Sequence, residues 1–482
     1  MTTSQLALNV AEQVPPHFLN GAGQAGMGAG RSLIDPATEQ VWLDVRDASA
    51  SQLGEAVKGA KGALERWSGA APNARARTLT RLADLIEARS DDLAAVESRN
   101  VGKPLGQARR DVIRAAEYFR FYAGACDKLN GDTIPLGADQ TALTALEPVG
   151  VTAHILPWNY PISTLARGAA PALAVGATVV AKPSELTPLS AVMVAQLAHE
   201  AGLPEGAFNV ICGAGDIGAA LAGHEEVAHV TFTGSVATGR KVMQAASVPV
   251  AGVTLELGGK SPVVVLDDAD LDAAAEDVAR GIFFNAGQVC AAGARLICQR
   301  RVHQALVAKI RERAEAMQMG NPLDDPALGP LASAQQLARV ESFVNRAKAD
   351  GLTCVTGGQR ADRPGYFYPP TIFTDVPADA EITQCEVFGP VLVSQICDTP
   401  DEALELANGT AFGLVAGIYT ADTTQALRFA RAVEAGQVFV NGFLKGGDTV
   451  PFGGVKNSGI GREKGLAGLA AYTAPKSIVL NH

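Results

Sequence analysis

Along the first third of the chain, apolar residues recur with the three- to four-residue period of a helix that buries one face. One such stripe covers residues 79–96 and is ended by Gly102 and Pro104. A second stripe covers residues 112–122. These patterns predict two long amphipathic helices. The Gly-rich run that precedes them, residues 21–30, predicts a hairpin or a loop.

From residue 151 onward, short apolar runs alternate with helical stretches, which is typical of a parallel sheet with crossover helices. The predicted strands are residues 151–156, 177–181, 208–212, 227–233, 253–257, 263–266, 294–299, 390–396, 414–419, 437–441 and 476–480. The predicted helices are residues 190–201, 270–284, 302–317, 333–349, 400–407 and 422–434. Gly258 and Gly259 interrupt the series and mark a domain boundary. Residues 131–148 show only a weak alternation of apolar and polar residues and are bounded by Gly and Pro. We expect a hairpin there that pairs with another part of the chain or with another subunit.

Composition narrows the classes of protein that fit this pattern. The chain has 482 residues, a net charge of −10 and 47% hydrophobic residues, which suits a globular protein with sizeable cores and argues against nucleic acid as the main partner. No apolar run is long enough for a membrane span, and the N-terminus lacks a signal-peptide pattern, so we expect a cytoplasmic protein with no membrane partner. The seven cysteines are scattered without zinc-ligand spacing, so we expect neither disulfides nor a metal site.

Two glycine-containing turns are candidates for binding a phosphate. The motif GAGDIG at residues 213–218 follows a predicted strand and opens a helix, where backbone N–H groups could hold a pyrophosphate. The motif FTGS at residues 232–235 also joins a strand to a helix, which Ser235 could cap. No acidic residue ends a strand about 20 residues after the first motif, as a dinucleotide site of that kind requires. On this pattern alone, both turns remain candidates for the phosphate-binding site.

Four further motifs carry side chains with catalytic or binding potential. Lys182 and Glu185 follow a predicted parallel strand, at the edge where α/β proteins bind ligands. Asn159 lies between Trp and two prolines, and its amide could donate to an oxyanion. Glu256 ends a strand and Cys290 follows a helix, so a base and a thiol for covalent catalysis are present in the chain.

Taken in order, these motifs resemble the aldehyde dehydrogenase superfamily, in its acid-forming, non-phosphorylating branch. The motifs are PWNYP (157–161), KPSE (182–185), FTGS (232–235), ELGGK (256–260), GQVC (287–290), EVFGP (386–390) and PFGGVKNSG (451–459). The resemblance covers residues 20–480. It implies an α/β fold with two doubly wound domains and a small β oligomerisation arm. The implied cofactor-binding domain is residues 1–130 and 149–258, the catalytic domain 259–460, and the arm with the C-terminal strand 131–148 and 461–482.

The resemblance also implies a role for individual residues. Cys290 matches the nucleophile, Glu256 the base that activates water, and Asn159 an oxyanion donor, while Glu463 matches a position sometimes assigned to a proton relay. The implied cofactor is NAD, with NADP less favoured because Glu185 would repel a 2′-phosphate. The residues that match cofactor contacts are Trp158, Lys182, Glu185, Gly215, Gly234, Ser235, Glu386 and Phe388. The match favours residues 232–235 as the main phosphate contact.

Several alternatives stay open on the sequence. A CoA-acylating or phosphorylating aldehyde dehydrogenase would use the same thiol, and a catalytically silent nucleotide-binding member would keep the same fold. The residues expected near the substrate are Tyr160, Val289, Ala291, Phe443 and Leu444. Few of them are charged, which favours an apolar or aromatic aldehyde, whereas residues 446–451 resemble relatives that act on amino aldehydes. The arm implies a homodimer or a homotetramer.

Overall fold

A computed structural model describes residues 2–482. Most of the molecule consists of two sheets of mainly parallel strands, each with helices on both faces. The helices are α1 (Thr3–Ala11), α2 (Ala50–Ser68), α3 (Pro72–Ala88), α4 (Ser90–Val101), α5 (Leu105–Ala123), α6 (Pro161–Val175), α7 (Leu189–Glu200), α8 (Gly215–Ala222), α9 (Val236–Ala246), α10 (Leu271–Phe283), α11 (Arg300–Ala316), α12 (Ala334–Ala349), α13 (Glu381–Gln384), α14 (Pro400–Asn408), α15 (Thr423–Ala432) and α16 (Ala467–Ala470). Short 3₁₀ helices cover Phe284–Gly287 and Pro322–Asp324.

The strands fall into two large sheets, one three-stranded sheet and two ribbons. They are β1 (His17–Leu19), β2 (Ala22–Gln24), β3 (Gly30–Asp35), β4 (Gln40–Arg46), β5 (Thr133–Gly137), β6 (Gln140–Pro148), β7 (Val151–Ile155), β8 (Thr178–Lys182), β9 (Phe208–Val210), β10 (Val227–Thr233), β11 (Gly252–Glu256), β12 (Pro262–Val265), β13 (Arg295–Gln299), β14 (Thr353–Thr356), β15 (Thr371–Thr374), β16 (Val391–Cys397), β17 (Phe412–Gly413), β18 (Val415–Tyr419), β19 (Gln437–Val440), β20 (Val455–Lys456), β21 (Gly459–Ile460) and β22 (Thr473–Asn481).

The first sheet has the strand order β2-β1-β9-β8-β7-β10-β11-β21, and its five central strands are parallel. Successive residues of a strand point to opposite faces, and β8 shows the result. Val179 packs in the core beneath α3, α5, α6 and α7, while Val180 packs on the opposite side with α2, α8 and α9. Because both faces are covered, β7, β8 and β9 are buried along their whole length.

The second sheet has the order β14-β15-β16-β13-β12-β18-β19. Val263 of β12 packs with α10 and α11, and the next residue, Val264, packs on the other face with α14 and α15. The chain crosses from the first sheet to the second between β11 and β12, at the Gly258–Gly259 pair that the sequence singled out. It then returns, because β21 pairs with β11 in the first sheet.

The three-stranded sheet is a projecting arm. β5 and β6 form a hairpin over residues 133–148, which confirms the extended excursion predicted there. The C-terminal strand β22 pairs with β6 along its whole length, from Thr473 opposite Pro148 to Asn481 opposite Gln140. We refer to β5, β6 and β22 together as the arm sheet.

The structure differs from the elements predicted from the sequence in several respects. The stripe over residues 79–96 belongs to two helices, α3 and α4, because the chain breaks at Arg89 without a Gly or Pro to signal it. The elements that were not predicted include helices α1, α2 and α6 and strands β3, β14 and β15. The remaining predicted strands and helices are present to within about two residues, the accuracy to which element boundaries can be defined.

Neither a membrane-spanning helix nor a metal-binding cluster is present in the part of the chain that the structure describes. No helix within residues 2–482 combines the length and the apolar character needed to cross a bilayer. Within the same residues, no group of three or more His, Cys, Asp or Glu side chains could hold a metal ion. All seven cysteines are free thiols.

Candidate active site

A cavity of about 1020 Å³ lies where elements of the two large sheets meet. Its walls come from the carboxyl ends of β7, β8, β10 and β11 on one side and from the segments around residues 290, 388 and 439 on the other. All residues that the sequence put forward for catalysis or binding line this cavity except Glu463 and Phe443. The structure therefore brings together residues that are up to 444 − 158 = 286 positions apart in the sequence, from Trp158 to Leu444.

Cys290 is presented by an unusual turn at the end of α10. Asn285, Ala286 and Gly287 all have positive φ angles, of 49°, 52° and 72°. At Gly287 a side chain is excluded, because a Cβ would lie 2.0 Å from the Gly389 carbonyl oxygen. The fully buried Gln288 fixes the turn, since its amide donates to the Asn285 carbonyl (3.0 Å) and accepts from the backbone N–H of Ala332 (2.9 Å).

Asn159 lies beside this turn, after the carboxyl end of β7. Its side-chain amide is buried and donates to the Gln288 carbonyl at 2.7 Å. That bond uses one N–H of the amide, and the second has no protein partner among the described residues. The amide is thus held in place with one donor free at the cavity wall next to Cys290.

The thiol of Cys290 is a weak acid in this setting. Burial raises its pKa to about 11, and the negative charge of Glu256 adds to the rise, while Arg167 lowers it. A thiol with this pKa is protonated at neutral pH. Formation of the reactive thiolate therefore depends on nearby positive charge.

Glu256 is a buried carboxyl group without a hydrogen-bond partner. It ends β11 and is 2% exposed, and neither carboxyl oxygen has a partner within residues 2–482. Burial raises its pKa well above the ordinary value, the charge of Glu463 raises it further, and Arg167 opposes both. An unpaired carboxylate in a low-dielectric pocket is a strong base and has free lone pairs for a water molecule.

Arg167 and Glu463 form an ion pair behind Glu256. Glu463 is buried outside the cavity wall and contacts the Arg167 guanidinium, which also donates to the Thr233 hydroxyl at 3.3 Å. The sequence analysis did not single out Arg167. The sequence could have indicated it, because Arg167 is the one charged residue in the buried helix α6.

At the other end of the cavity, two helices begin. Gly215 starts α8, and a Cβ there would meet no atom within 4 Å, so this backbone is open to the cavity. Ser235 caps α9 by accepting from the N–H of Thr238 at 3.2 Å. Helix N-termini favour anions, because their N–H groups are unpaired and carry partial positive charge. Both motifs that the sequence left open thus face the same space.

Lys182 and Glu185 lie beside these helix starts. The Lys182 ammonium group is buried and lies 3.6 Å from the Glu185 carboxylate. Burial lowers the pKa of Lys182, and the charge of Glu185 partly restores it. A cation and an anion at this spacing can hold a pair of ribose hydroxyls, with one donor and one acceptor. Together with two anion-binding helix ends, they fit an adenine dinucleotide.

Glu386 and Phe388 close the cavity between its two ends. Glu386 accepts from the backbone N–H of Gly259 at 3.0 Å, and burial raises its pKa to about 7. Phe388 has a φ of 62°, and its ring meets that of Trp158 edge to face, with the centroids 5.3 Å apart. Gln336 holds this strained residue by donating to its carbonyl at 2.6 Å.

On the Cys290 side, the wall is aromatic but also charged. Four of the five residues predicted near the substrate line the cavity there: Tyr160, Val289, Ala291 and Leu444. Phe443 does not, because its fully buried ring packs against Phe439 and fills the space left by three glycines. The structure adds wall residues that the sequence analysis missed, namely Arg110, Arg114, Tyr118, Phe284, Phe439, Phe452, Asp448 and Lys464.

The chain is similar to proteins of a known family and to solved structures. The profile of the "Aldehyde dehydrogenase family" matches residues 26–478. A betaine aldehyde dehydrogenase of Cereibacter sphaeroides is 41% identical over 471 residues, covering 97% of each chain. An aldehyde dehydrogenase of Emericella nidulans is 41% identical over 482 residues, covering 99% of this chain and 97% of the relative. The crystal structure of a betaine aldehyde dehydrogenase from Staphylococcus aureus in complex with NAD⁺ superposes with a TM-score of 0.97 at 35% identity, covering 100% of this chain and 98% of the other.

Proposed function

Because the chain belongs to the aldehyde dehydrogenase family, we propose that it oxidises an aldehyde to the carboxylic acid with NAD, through a thioester on Cys290. One observation carries the proposal. A thiol and a buried carboxyl group with no hydrogen-bond partner lie on one cavity, opposite two open helix N-termini. The thiol can form an acyl intermediate, the carboxylate can activate water to cleave it, and the helix ends can hold the cofactor phosphates.

The first step is attack of the Cys290 thiolate on the aldehyde carbon. Arg167 stabilises the thiolate, since it lowers the pKa of Cys290. The carbonyl oxygen becomes an oxyanion, which accepts from the free amide N–H of Asn159 and from the backbone N–H of Cys290. Loss of one such donor in comparable sites costs about 10²–10³ in rate.

The second step is oxidation of this thiohemiacetal. When bound, NAD supplies the acceptor for the hydride and a positive charge close to the thiol. The residues that would hold it are Ser235 and the α8 start at the phosphates, Lys182 and Glu185 at one ribose, and Glu386 at the other. Departure of the hydride from the former aldehyde carbon leaves a thioester on Cys290.

The third step is hydrolysis. Glu256 removes a proton from water, the resulting hydroxide attacks the thioester carbonyl, and the C–S bond breaks to release the acid and the Cys290 thiolate. The Arg167–Glu463 pair sets the basicity of Glu256, because the two charges act on its pKa in opposite directions. The balance is one aldehyde, one NAD and one water consumed for one acid, one NADH and one proton.

The test is a panel of aldehydes with NAD, followed by NADH absorbance and by quantification of the acid. We expect NADH and free acid in equal amounts, without any added acyl acceptor. Product that appears only with CoA or phosphate, as an acyl-CoA or acyl phosphate, would instead identify an acylating or phosphorylating enzyme. A flat NADH signal across the panel would identify a silent member of the family.

Glu185 is expected to set the preference for NAD over NADP. Its carboxylate is half-buried at the cavity wall and would repel the additional phosphate of NADP. Replacement Glu185→Gln should lower the ratio of kcat/KM for NAD to that for NADP by at least about tenfold, the size of one close charge–charge repulsion. The exposed Glu200→Gln, at the end of α7, is the matched control and should leave the ratio unchanged. A wild-type preference for NADP would contradict the role given to Glu185.

The arm sheet is expected to join subunits into a homodimer or homotetramer. It exposes six large apolar side chains, namely Ile134, Leu136, Leu143, Ile478, Val479 and Leu480. Its outer strands, β5 and β22, also have unpaired edges, which subunit contact would cover. Light scattering should show a stable oligomer, which Ile478→Glu should split into smaller species, whereas Val248→Glu on an exposed turn should not. A monomeric wild-type protein would exclude this role for the arm sheet.

A further inference from the structure

Helix α5 presents two arginines to the aldehyde side of the cavity. Arg110 and Arg114 are four residues apart, which places them on one face of the helix, and both line the cavity wall with Tyr118. Lys464, from the C-terminal segment, lines the same wall. Three cationic side chains therefore surround the outer part of this space.

These three cations have fewer carboxylate partners than positive charges. Asp448 is the carboxylate nearest to them, and it is shared: it accepts from the Tyr118 hydroxyl at 3.1 Å and lies 3.5 Å from both Arg114 and Lys464. Asp111, also on α5, is buried and lies 2.6 Å from the Lys103 ammonium group, so it is already paired.

Arg110 is the least satisfied of the three cations. It is exposed to the cavity, and its guanidinium lies 5.6 Å from the centre of the Phe284 ring. No carboxylate pairs with it anywhere in residues 2–482. Of the other cavity arginines near Cys290, Arg167 pairs with Glu463 and Arg280 with Asp277. Among these arginines on the Cys290 side of the cavity, the one without a carboxylate partner within residues 2–482 is therefore on α5.

The cationic wall and the thiol belong to one continuous space. Tyr160 lines the same cavity, and groups on both sides act on its hydroxyl: burial raises its pKa most, Asp111 and Cys290 add to the rise, and Arg114 and Arg110 oppose it. The same space is also lined by the rings of Phe284, Phe439 and Phe452 and by the side chain of Leu444. A substrate that places its aldehyde at Cys290 therefore extends along an apolar wall toward positive charge.

We propose that the aldehyde substrate carries a carboxylate at the end remote from its aldehyde group, and that Arg110 and Arg114 bind this carboxylate. The proposal rests on the proposed function and adds the class of substrate. Guanidinium groups bind carboxylates through paired N–H donors, and two of them four residues apart on a helix offer more donors than one carboxylate needs. Betaine aldehyde, the substrate in the name of the betaine aldehyde dehydrogenases, carries a quaternary ammonium group. In this cavity such a group would face the cations described above, which share the carboxylate of Asp448.

The test compares aldehydes that carry a neutral, a negative or a positive group at the end remote from the aldehyde. One series is butanal, 4-oxobutanoate and 4-(trimethylammonio)butanal, and a second is benzaldehyde, 4-carboxybenzaldehyde and 4-(trimethylammonio)benzaldehyde. We expect kcat/KM in at least one series to be highest for the carboxylate, by about tenfold or more over the neutral aldehyde, the effect of one charge-assisted hydrogen bond. The trimethylammonium compound should be the poorest of each series.

Substitutions on α5 locate the effect. Arg114→Gln and Arg110→Gln should each lower the carboxylate-to-neutral ratio of kcat/KM by about tenfold, and Arg114→Lys should retain part of it because the charge remains. Arg109→Gln is the matched control, since Arg109 neighbours Arg110 on α5 but pairs with Asp91 away from the cavity. Its ratio should equal that of the wild type. Added salt should reduce the ratio of the wild type and leave that of Arg114→Gln nearly constant.

The outcomes separate this inference from the proposed function. If neutral or cationic aldehydes are oxidised best, or if the α5 substitutions leave the ratio unchanged, the carboxylate site is wrong while the dehydrogenase assignment stands. If no member of either series yields NADH, and a broader aldehyde panel also yields none, the proposed function itself fails.

Discussion

Replacement of Cys290 by alanine is expected to lower aldehyde-dependent NADH formation by at least about 10⁴-fold, because the covalent intermediate cannot form without the thiol. The cavity holds no second cysteine on its wall that could take over the reaction. The measurement is single-turnover and steady-state NADH formation with the best aldehyde of the panel. Residual turnover above a trace would show that another group is the nucleophile.

The Cys290→Ala protein should otherwise be intact. The turn that carries residue 290 is held by Gln288 and by the glycine at 287, neither of which depends on the thiol. Its affinity for NAD, measured by fluorescence, should therefore remain within about threefold of the wild type, below half a power of ten in binding constant. The matched control is Cys385→Ala, a half-buried cysteine that does not line the cavity, and it should retain activity.

Glu256→Gln is expected to separate the two halves of the reaction. Thioester formation does not need the base, so mixing with NAD and aldehyde should produce a burst of NADH that approaches one per active site. Hydrolysis then stalls, and steady-state turnover should fall by about 10²–10⁴, the usual contribution of a general base. Rapid-mixing absorbance measures both phases. Loss of the burst itself would mean that Glu256 acts earlier, on the thiol.

The pH dependence offers a second view of the same residue. Burial and the charge of Glu463 raise the pKa of Glu256, and a base works only when it is deprotonated. Hydrolysis in the wild type should therefore slow as the pH falls through this raised pKa, well above the pH at which an ordinary glutamate is protonated. In Glu256→Gln the slow residual hydrolysis should lack this acidic limb.

The sequence predicted the parallel strands well because they are buried on both faces, and short continuous apolar runs such as residues 263–266 are typical of such strands. Two of the strands that it missed, β14 and β15, lie at one end of the second sheet, with β14 at the edge. β14 is only four residues long and none of them is buried, so its strand conformation depends on pairing with β15 rather than on its own pattern. The division at Arg89 was missed for a related reason, since both helices bury their stripes in the same core.

The site could be predicted where a motif places a reactive side chain at the end of a strand or helix, as for Glu256 and Cys290. The charged wall of α5 could not. In the sequence, Arg110 and Arg114 look like arginines on a solvated helix face. Their neighbours in the fold are distant in the chain, since Arg110 lies over the ring of Phe284 and Arg114 lies 3.5 Å from Asp448. Phe443 was misplaced for the converse reason, because adjacency to Leu444 says nothing about which side chain faces the core.

The pairing of β22 with β6 determines when the arm sheet can form during synthesis. Gln140 of β6 pairs with Asn481 of β22, 341 residues later, so both large sheets are synthesised before the strand that completes the arm sheet. Contacts of such long sequence separation form late in folding. A nascent chain can therefore form the two sheets that build the cavity before it has a finished arm sheet.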